Sequence, residues 1–393
     1  MSSQDGRPPH EVGTGTESTD RRTFWRAFRD QGGPAQIVIG VITTVLAAGV
    51  LAGFGLLAGA WRNDNEDAST FPTSESSPAA DAAVKETGTS PPSSTALTTS
   101  TSEEFAYLPG DGLPVVEIAS VSELEDVSQI VAHEGAVWAL SRNGTRLLEI
   151  DQSTGVVVRR QIVNAGVQVA DVVYGEGSLW AASMDSMSLV RFDPYSQDRD
   201  VIPLSVTPTG LAISEPTRQA FVIAEDSDVV LRIDLNTSSI TGELDVESPS
   251  GIIIGPGGDV WVSSRFTDTV IRIDPSAPGP MTIGETVGVS FGPAALATDQ
   301  SEVWVANVEA GSLSRIQVST DAPSTVIETI EYGVSPDRIL LIDDLVWIFD
   351  LAARSIILGG NGFASLEKEP VDVASDGSTA WVAFTDEVTA LQT

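Results

Sequence analysis

A short apolar pulse centred on an aromatic residue recurs from Val137 to the end of the chain. It is met first as Val137-Trp138-Ala139-Leu140. It returns around Trp180, Phe221, Trp261, Trp304, Trp347 and Trp381, at steps of 42, 41, 40, 43, 43 and 34 residues. The residues around each aromatic are β-branched or small, and no 3.6-residue periodicity accompanies them. A period near 40 built from strand-type residues fits a ring of four-stranded blades, a β-propeller, better than a helical solenoid.

Each repeat resolves into four short strands. In the fourth, Gly251-Ile-Ile-Ile254 reads as the inner strand, Val260-Trp-Val-Ser263 as the second and Thr269-Val-Ile-Arg-Ile273 as the third, with an outer strand expected near Met281-Thr-Ile283. Thirteen residues after the aromatic stand Asp151, Asp193, Asp234 and Asp274, read as turn formers that accept a backbone N–H two residues on. The series continues with Gln317 and Gly360, and two positions before Asp193, Asp234, Asp274 and Gln317 lie Arg191, Arg232, Arg272 and Arg315, read as outward strand residues paired with blade acids. The seventh repeat ends at Val388-Thr-Ala-Leu391 with no outer strand of its own, while a spare strand, Leu113 to Ala119, precedes the first repeat. That strand is expected to complete the last blade and remove its free edge, giving seven blades over residues 113–393.

What precedes the repeats is of another kind. Residues 1–36 form a polar tail with five Arg, expected to be disordered and cytoplasmic. Residues 37–61, IVIGVITTVLAAGVLAGFGLLAGAW, carry no charge and are long enough to cross about 30 Å of hydrocarbon. Only Arg62 and Lys85 follow before the repeats, so the charge bias predicts a single-pass cell-membrane anchor with its N-terminus cytoplasmic and the propeller extracytoplasmic. Arg21-Arg22-Thr23-Phe24-Trp25-Arg26 with Ala58-Gly59-Ala60 supplies a second reading, a cleaved twin-arginine signal peptide, which exports the same domain. Residues 62–112 are dominated by Ser, Thr, Pro and acids and read as an extended extracytoplasmic stalk.

Composition narrows the chemistry. There is no Cys, hence no disulfide, thiolate metal site or thiol nucleophile. Residues 105–393 hold 14 Lys and Arg against 42 Asp and Glu, a net charge of −28. Such a surface repels nucleic acid and favours a basic protein, peptide or envelope ligand, or a cation. The only histidines are His10 and His133, and no Ser/His/Asp set or phosphate-cradling glycine loop is visible, so no catalytic residue is assigned.

The candidate binding face bears the loop after each aromatic strand and the loop entering each inner strand, because both open at one end of the ring. It carries Asp185, Asp226, Asp228, Asp268, Glu309, Asp386 and Glu387. Carboxylate oxygens converging there from several blades would suit Ca2+ or Mg2+; dispersed around the rim, they form a solvated acidic surface.

Segments such as AFVIAEDSDVVLRIDLNTSSITGELDV and VWVSSRFTDTVIRIDPSAPGPMTIGETV, with Pro208, Pro249, Pro293, Pro336 and Pro370 before successive inner strands, resemble the YVTN/YncE-like propellers. They are also similar to NHL-repeat and virginiamycin B lyase-like propellers. The YncE-like resemblance implies a seven-bladed extracytoplasmic domain of a kind that is often a binding module. The lyase-like resemblance implies His and Glu residues around a bound magnesium, for which this chain offers His133 alone. The expected function is therefore a membrane-tethered, non-catalytic binding or scaffold module, with a divalent-cation-dependent lyase or lactonase sited in the central channel as the alternative.

Overall fold

The computed structural model describes residues 115–393, apart from positions 123, 167, 197, 278, 300, 360 and 361. The tail, the expected membrane helix and the whole of the stalk lie outside the described residues. Among the described residues no helix is long and apolar enough to cross a membrane.

Seven four-stranded antiparallel sheets follow one another along the chain. The first blade runs from inner to outer strand as β2 (Val127–His133), β3 (Ala136–Ser141), β4 (Arg146–Asp151) and β5 (Val156–Ile162). The inner strands of the next five blades are β6 (Val169–Gly175), β10 (Gly210–Ser214), β14 (Pro249–Ile254), β18 (Pro293–Thr298) and β22 (Arg338–Ile342). The seventh blade is built on β26 (Asp372–Ser375), followed by β27 (Ala380–Ala383) and β28 (Val388–Gln392). Each inner strand touches the next, and β26 touches β2, so the ring is closed.

Closure takes the expected form. Strand β1 (Val116–Val121) pairs antiparallel with β28, Val121 opposite Val388 and Ser120 opposite Thr389, and supplies the outer strand of the last blade. The blade thus joins both ends of the domain through a hydrogen-bonded ladder.

Burial explains why the aromatic pulse has no alternation. The second strands are sandwiched on both faces, and every residue of Ala136–Ser141 and Ser178–Ser183 is buried. Outer strands, by contrast, are largely exposed, as in Ser239–Asp245. Each repeat aromatic packs against the following blade. Trp138 meets Val172 and Leu179, Trp180 meets Leu211 and Val222, and Phe221 meets Val260 and Val262. Trp261 meets Val303 and Val305, Trp304 meets Ile339 and Ile348, Trp347 meets Val373 and Val382, and Trp381 meets Ile130 and Ala139. Seven aromatics thus fill seven interfaces.

Three turn aspartates accept the N–H two residues on, Asp193 that of Tyr195 at 2.7 Å, Asp234 that of Asn236 at 2.8 Å and Asp274 that of Ser276 at 2.8 Å, whereas Asp151 accepts that of Thr154, three residues on, at 2.9 Å. The Ser153 hydroxyl on Asp151, the Tyr195 N–H on Asp193, the Thr237 N–H on Asp234 and the Ser276 hydroxyl on Asp274 lead the contacts that hold these carboxyls below the usual range.

The strand arginines face the same side as the aromatics, directly opposite them in register: Arg191 with Trp180, Arg272 with Trp261 and Arg315 with Trp304. Their guanidinium carbons lie 5.9, 5.7 and 5.2 Å from the ring centroids. The expected acids complete these ladders, Asp200 for Arg191, Asp259 for Arg272 and Glu302 for Arg315. Arg232 differs. It is 8% exposed and donates to the Thr241 and Gly279 carbonyls instead of a carboxylate, because the long turn after Asp274 folds back over it.

That same turn shifts the outer strand of the fourth blade. The strand begins at Glu285 instead of near Met281, and Met281 is buried in the interface with Phe221. Pro275 and Pro280, which cannot donate ladder hydrogen bonds, keep the intervening chain out of the sheet.

Candidate functional site

The acids expected on the loop face are spread over five blades, and most tie loops together. Asp185, in the second blade, accepts hydrogen bonds from the Ser183 hydroxyl at 2.9 Å and the Gln168 N–H at 3.3 Å. Asp226 and Asp228 belong to the third blade. Asp226 is exposed, whereas Asp228 adopts φ +54° and accepts the Ser248 N–H at 2.8 Å, fixing the loop that enters the fourth blade. Asp268, at φ +54° in the fourth blade, does the same for the next junction through the Gly292 N–H at 3.0 Å.

Glu309 packs over that junction. A methyl added to Gly292 would lie 2.6 Å from the Glu309 Cγ. Asp386 and Glu387, in the seventh blade, are brought together by Lys368, whose Nζ is 3.2 Å from Asp386 and 2.6 Å from Glu387. Among the described residues no three His, Asp or Glu side chains are grouped to hold a metal ion.

A second set of residues, four of them polar and not singled out by the sequence, occupies equivalent positions on the inner strands. Gln129, Asp171, Gly210, Gly251, Arg338 and Asp372 stand opposite Leu140, Ala182, Ile223, Ser263, Phe349 and Ala383, each two residues past the repeat aromatic. They therefore form one layer of the ring. Because each inner strand starts at the loop face, this layer lies near that mouth of the axial channel.

The inner edge of each inner strand has no ladder partner, and two carboxylates satisfy it. Asp171 Oδ2 accepts the Leu211 N–H of the third blade at 2.9 Å, and Asp372 Oδ2 accepts the Ile130 N–H of the first blade at 2.9 Å. Arg338 Nε lies 3.9 Å from Asp372 Oδ1. Asp171 is enclosed by protein although it is only partly buried by exposure. Burial pushes its carboxyl up to about 6, with the Leu211 N–H opposing and the Asp372 charge adding. Burial also raises Asp372, against the pull of Arg338.

The sign of the resulting pH dependence is fixed. A folded-state pKa above the unfolded value means that the native chain keeps a proton the unfolded chain has lost. Stability therefore falls as pH rises from about 4 through about 6, by at most about 3 kcal/mol for a shift of this size. Asn at this position keeps the acceptor for Leu211 and carries no charge. Asp171→Asn is expected to melt above the wild type at pH 7.5 and level with it at pH 4. A variant that melts lower at pH 7.5 would show that the carboxylate stabilises the ring.

His133 sits at the other end of β2, away from this layer. Its ring stacks on Tyr174 at 4.1 Å, Tyr174 stacks on Trp138 at 5.2 Å, and Glu134 lies 3.7 Å from Nε2. It joins the first two blades and does not approach Asp171, Arg338 or Asp372.

No family model matches the chain, and no curated protein matches it. Solved structures do. Virginiamycin B lyase from Staphylococcus aureus is similar at 17% identity over 70% of this chain and 98% of its own, with a TM-score of 0.57. A β-propeller domain from Myceliophteria thermophila is similar at 10% identity over 71% of this chain and 100% of its own, with a TM-score of 0.59. A WD40 β-propeller domain is similar at 12% identity over 70% of this chain and 96% of its own, with a TM-score of 0.55. The described residues thus form an all-β, seven-bladed propeller whose neighbours in shape include both a lyase and a WD40 domain.

Proposed function

We propose that the chain is a membrane-tethered, extracytoplasmic propeller that works as a non-catalytic ligand- or protein-binding scaffold. The observation that carries this reading is the distribution of the loop-face acids. They occupy five different blades, and Asp185, Asp228 and Asp268 accept hydrogen bonds that shape neighbouring loops. A rim of this kind presents a broad negative surface suited to a basic protein, peptide or envelope ligand. The uncharged span 37–61 with its N-terminal arginines supports the membrane tether, and the Ser/Thr/Pro-rich stretch after it supports a spacer.

The alternative, a divalent-cation-dependent lyase or lactonase, draws on the likeness to virginiamycin B lyase and on the polar layer of the channel. Thermal melting of the full chain in detergent micelles, titrated with Ca2+ and with Mg2+, separates the two. A ligand that binds only the folded state must raise its melting temperature. The binding reading expects no change beyond that given by equal ionic strength of NaCl. A saturable rise, abolished in Asp226→Asn/Asp268→Asn, would overturn it in favour of the cation-dependent reading.

A further inference from the structure

Four arginines, Arg142, Arg146, Arg159 and Arg160, crowd onto the first blade of a domain whose net charge is strongly negative. Three have partners. Arg142 pairs with Asp126 at 3.1 Å and Arg146 with Glu125, while Arg159 pairs with Glu149 at 2.9 Å and lies 5.2 Å from the Tyr195 ring centre. Arg160 is exposed, and its side chain makes no hydrogen bond or ion pair among the described residues.

The register places Arg160 opposite Leu148, and Leu148 opposite Ala139, on the face of the blade that bears Arg146, Ser141 and Val127. With Glu125 these residues line a cleft. Val127, Ala139 and Leu148 are buried in the core shared with Trp381 and Val388, so the cleft has an apolar floor at the seam between the last blade and the first. Glu125, two residues before β2, pairs with Arg146 at the edge of the cleft. The chain thereby shows what the cleft recognises: a carboxylate on a short aliphatic stem. The Arg146 hydrogen bond holds the Glu125 carboxyl below its usual range, and the Arg160 charge acts in the same direction. Beside the cleft, opposite Arg146 in the ladder, Ile162 is 85% exposed, an apolar contact with nothing packed over it.

We propose that this seam cleft docks an extended peptide segment of a protein partner in which acidic and aliphatic residues alternate. An acidic side chain is held by Arg160 with Arg146, and the neighbouring aliphatic residue rests on Ile162. Guanidinium groups over an apolar floor suit a carboxylate in two ways: charge-assisted hydrogen bonds at the head and contact along the stem. The cleft opens at the same end of the ring as the acidic loop face, but on the first blade, which carries none of the acids assigned to that face, and it takes a ligand of opposite charge, so its test is independent of the function proposed above.

Fluorescence anisotropy of the full chain in detergent micelles tests it, with a labelled peptide alternating glutamate and leucine and its glutamine counterpart. Saturable binding of the glutamate peptide alone is expected. It should weaken at least tenfold in Arg160→Gln, hold in the control Arg354→Gln and strengthen several-fold in Glu125→Gln, which frees Arg146. A purely structural Glu125 gives no such gain. No binding, binding untouched by Arg160→Gln, or equal binding of the glutamine peptide would overturn the proposal. Displacement by free glutarate at the peptide's own concentration would also overturn it, since the cleft would then be a small-carboxylate pocket.

Discussion

Removal of residues 116–121 is expected to lower the melting temperature of the full chain by about 10 °C or more and to broaden the transition. Strand β1 carries the start of the domain into its last blade. It contributes a ladder from Val116 opposite Gln392 to Val121 opposite Val388, and it buries Val121 beside Leu124 and Val127. Several backbone hydrogen bonds at about 1 kcal/mol each and one apolar side chain at about 2 kcal/mol amount to a loss on the order of 5 kcal/mol. That approaches the whole stability of an ordinary domain. The deletion also uncovers the edge of β28 and lets the seam open, because the first blade is otherwise joined to the seventh mainly through inner strands. The point variant Val121→Asp separates the two contributions, since it spoils the burial and leaves the ladder in place. Circular dichroism melts of the three proteins in detergent micelles give the comparison. A deletion variant that melts as sharply and as high as the wild type would mean that interblade packing alone closes the ring.

This closure was legible in the sequence because it follows from counting. Seven aromatics predict seven blades, the seventh repeat lacks a fourth strand, and the chain before Gln129 holds a spare one. The turn aspartates were legible for a similar reason, since an Asx turn is local and its partner lies two or three residues away. What could not be read depends on register between blades or on long-range loop contacts. Asp171, Arg338 and Asp372 share one layer only when inner strands about 35 to 200 residues apart are brought around the ring. The available signal was a charge inside an otherwise apolar inner strand, as in Val-Ala-Asp171-Val-Val and Val-Asp372-Val-Ala. The work of the loop-face acids as hydrogen-bond acceptors for the next loop was hidden, because Asp228 and Asp268 reach Ser248 and Gly292 through a left-handed backbone turn. The displaced outer strand of the fourth blade had a visible cause in Pro275 and Pro280. Their effect on Arg232 needed the folded turn.

The second large effect is expected at the repeat aromatic itself. Trp261 has no exposed surface and fills the interface with Val270, Val287, Val303, Val305 and Ile316. Truncation to Ala leaves a cavity between two blades that cannot close without moving both sheets, at about 3 to 5 kcal/mol. It also removes the ring beneath Arg272, a further loss of about 0.5 to 1 kcal/mol. Trp261→Phe should be far milder. Phe221 holds the equivalent place in the preceding blade, so the repeat accommodates a benzyl ring there. The Trp261 indole N–H, moreover, is buried without a hydrogen-bond partner among the described residues, and Phe relieves that penalty while giving up part of the packing. Room on the ring's edge is already limited, since a methyl added to Gly255 would lie 2.7 Å from the indole Nε1. The expected order of denaturant midpoints is therefore wild type, then Phe close behind, then Ala well below. If Phe proves as damaging as Ala, the indole N–H has a partner that stabilises the interface, and the repeat selects tryptophan for its hydrogen bond as well as for its size.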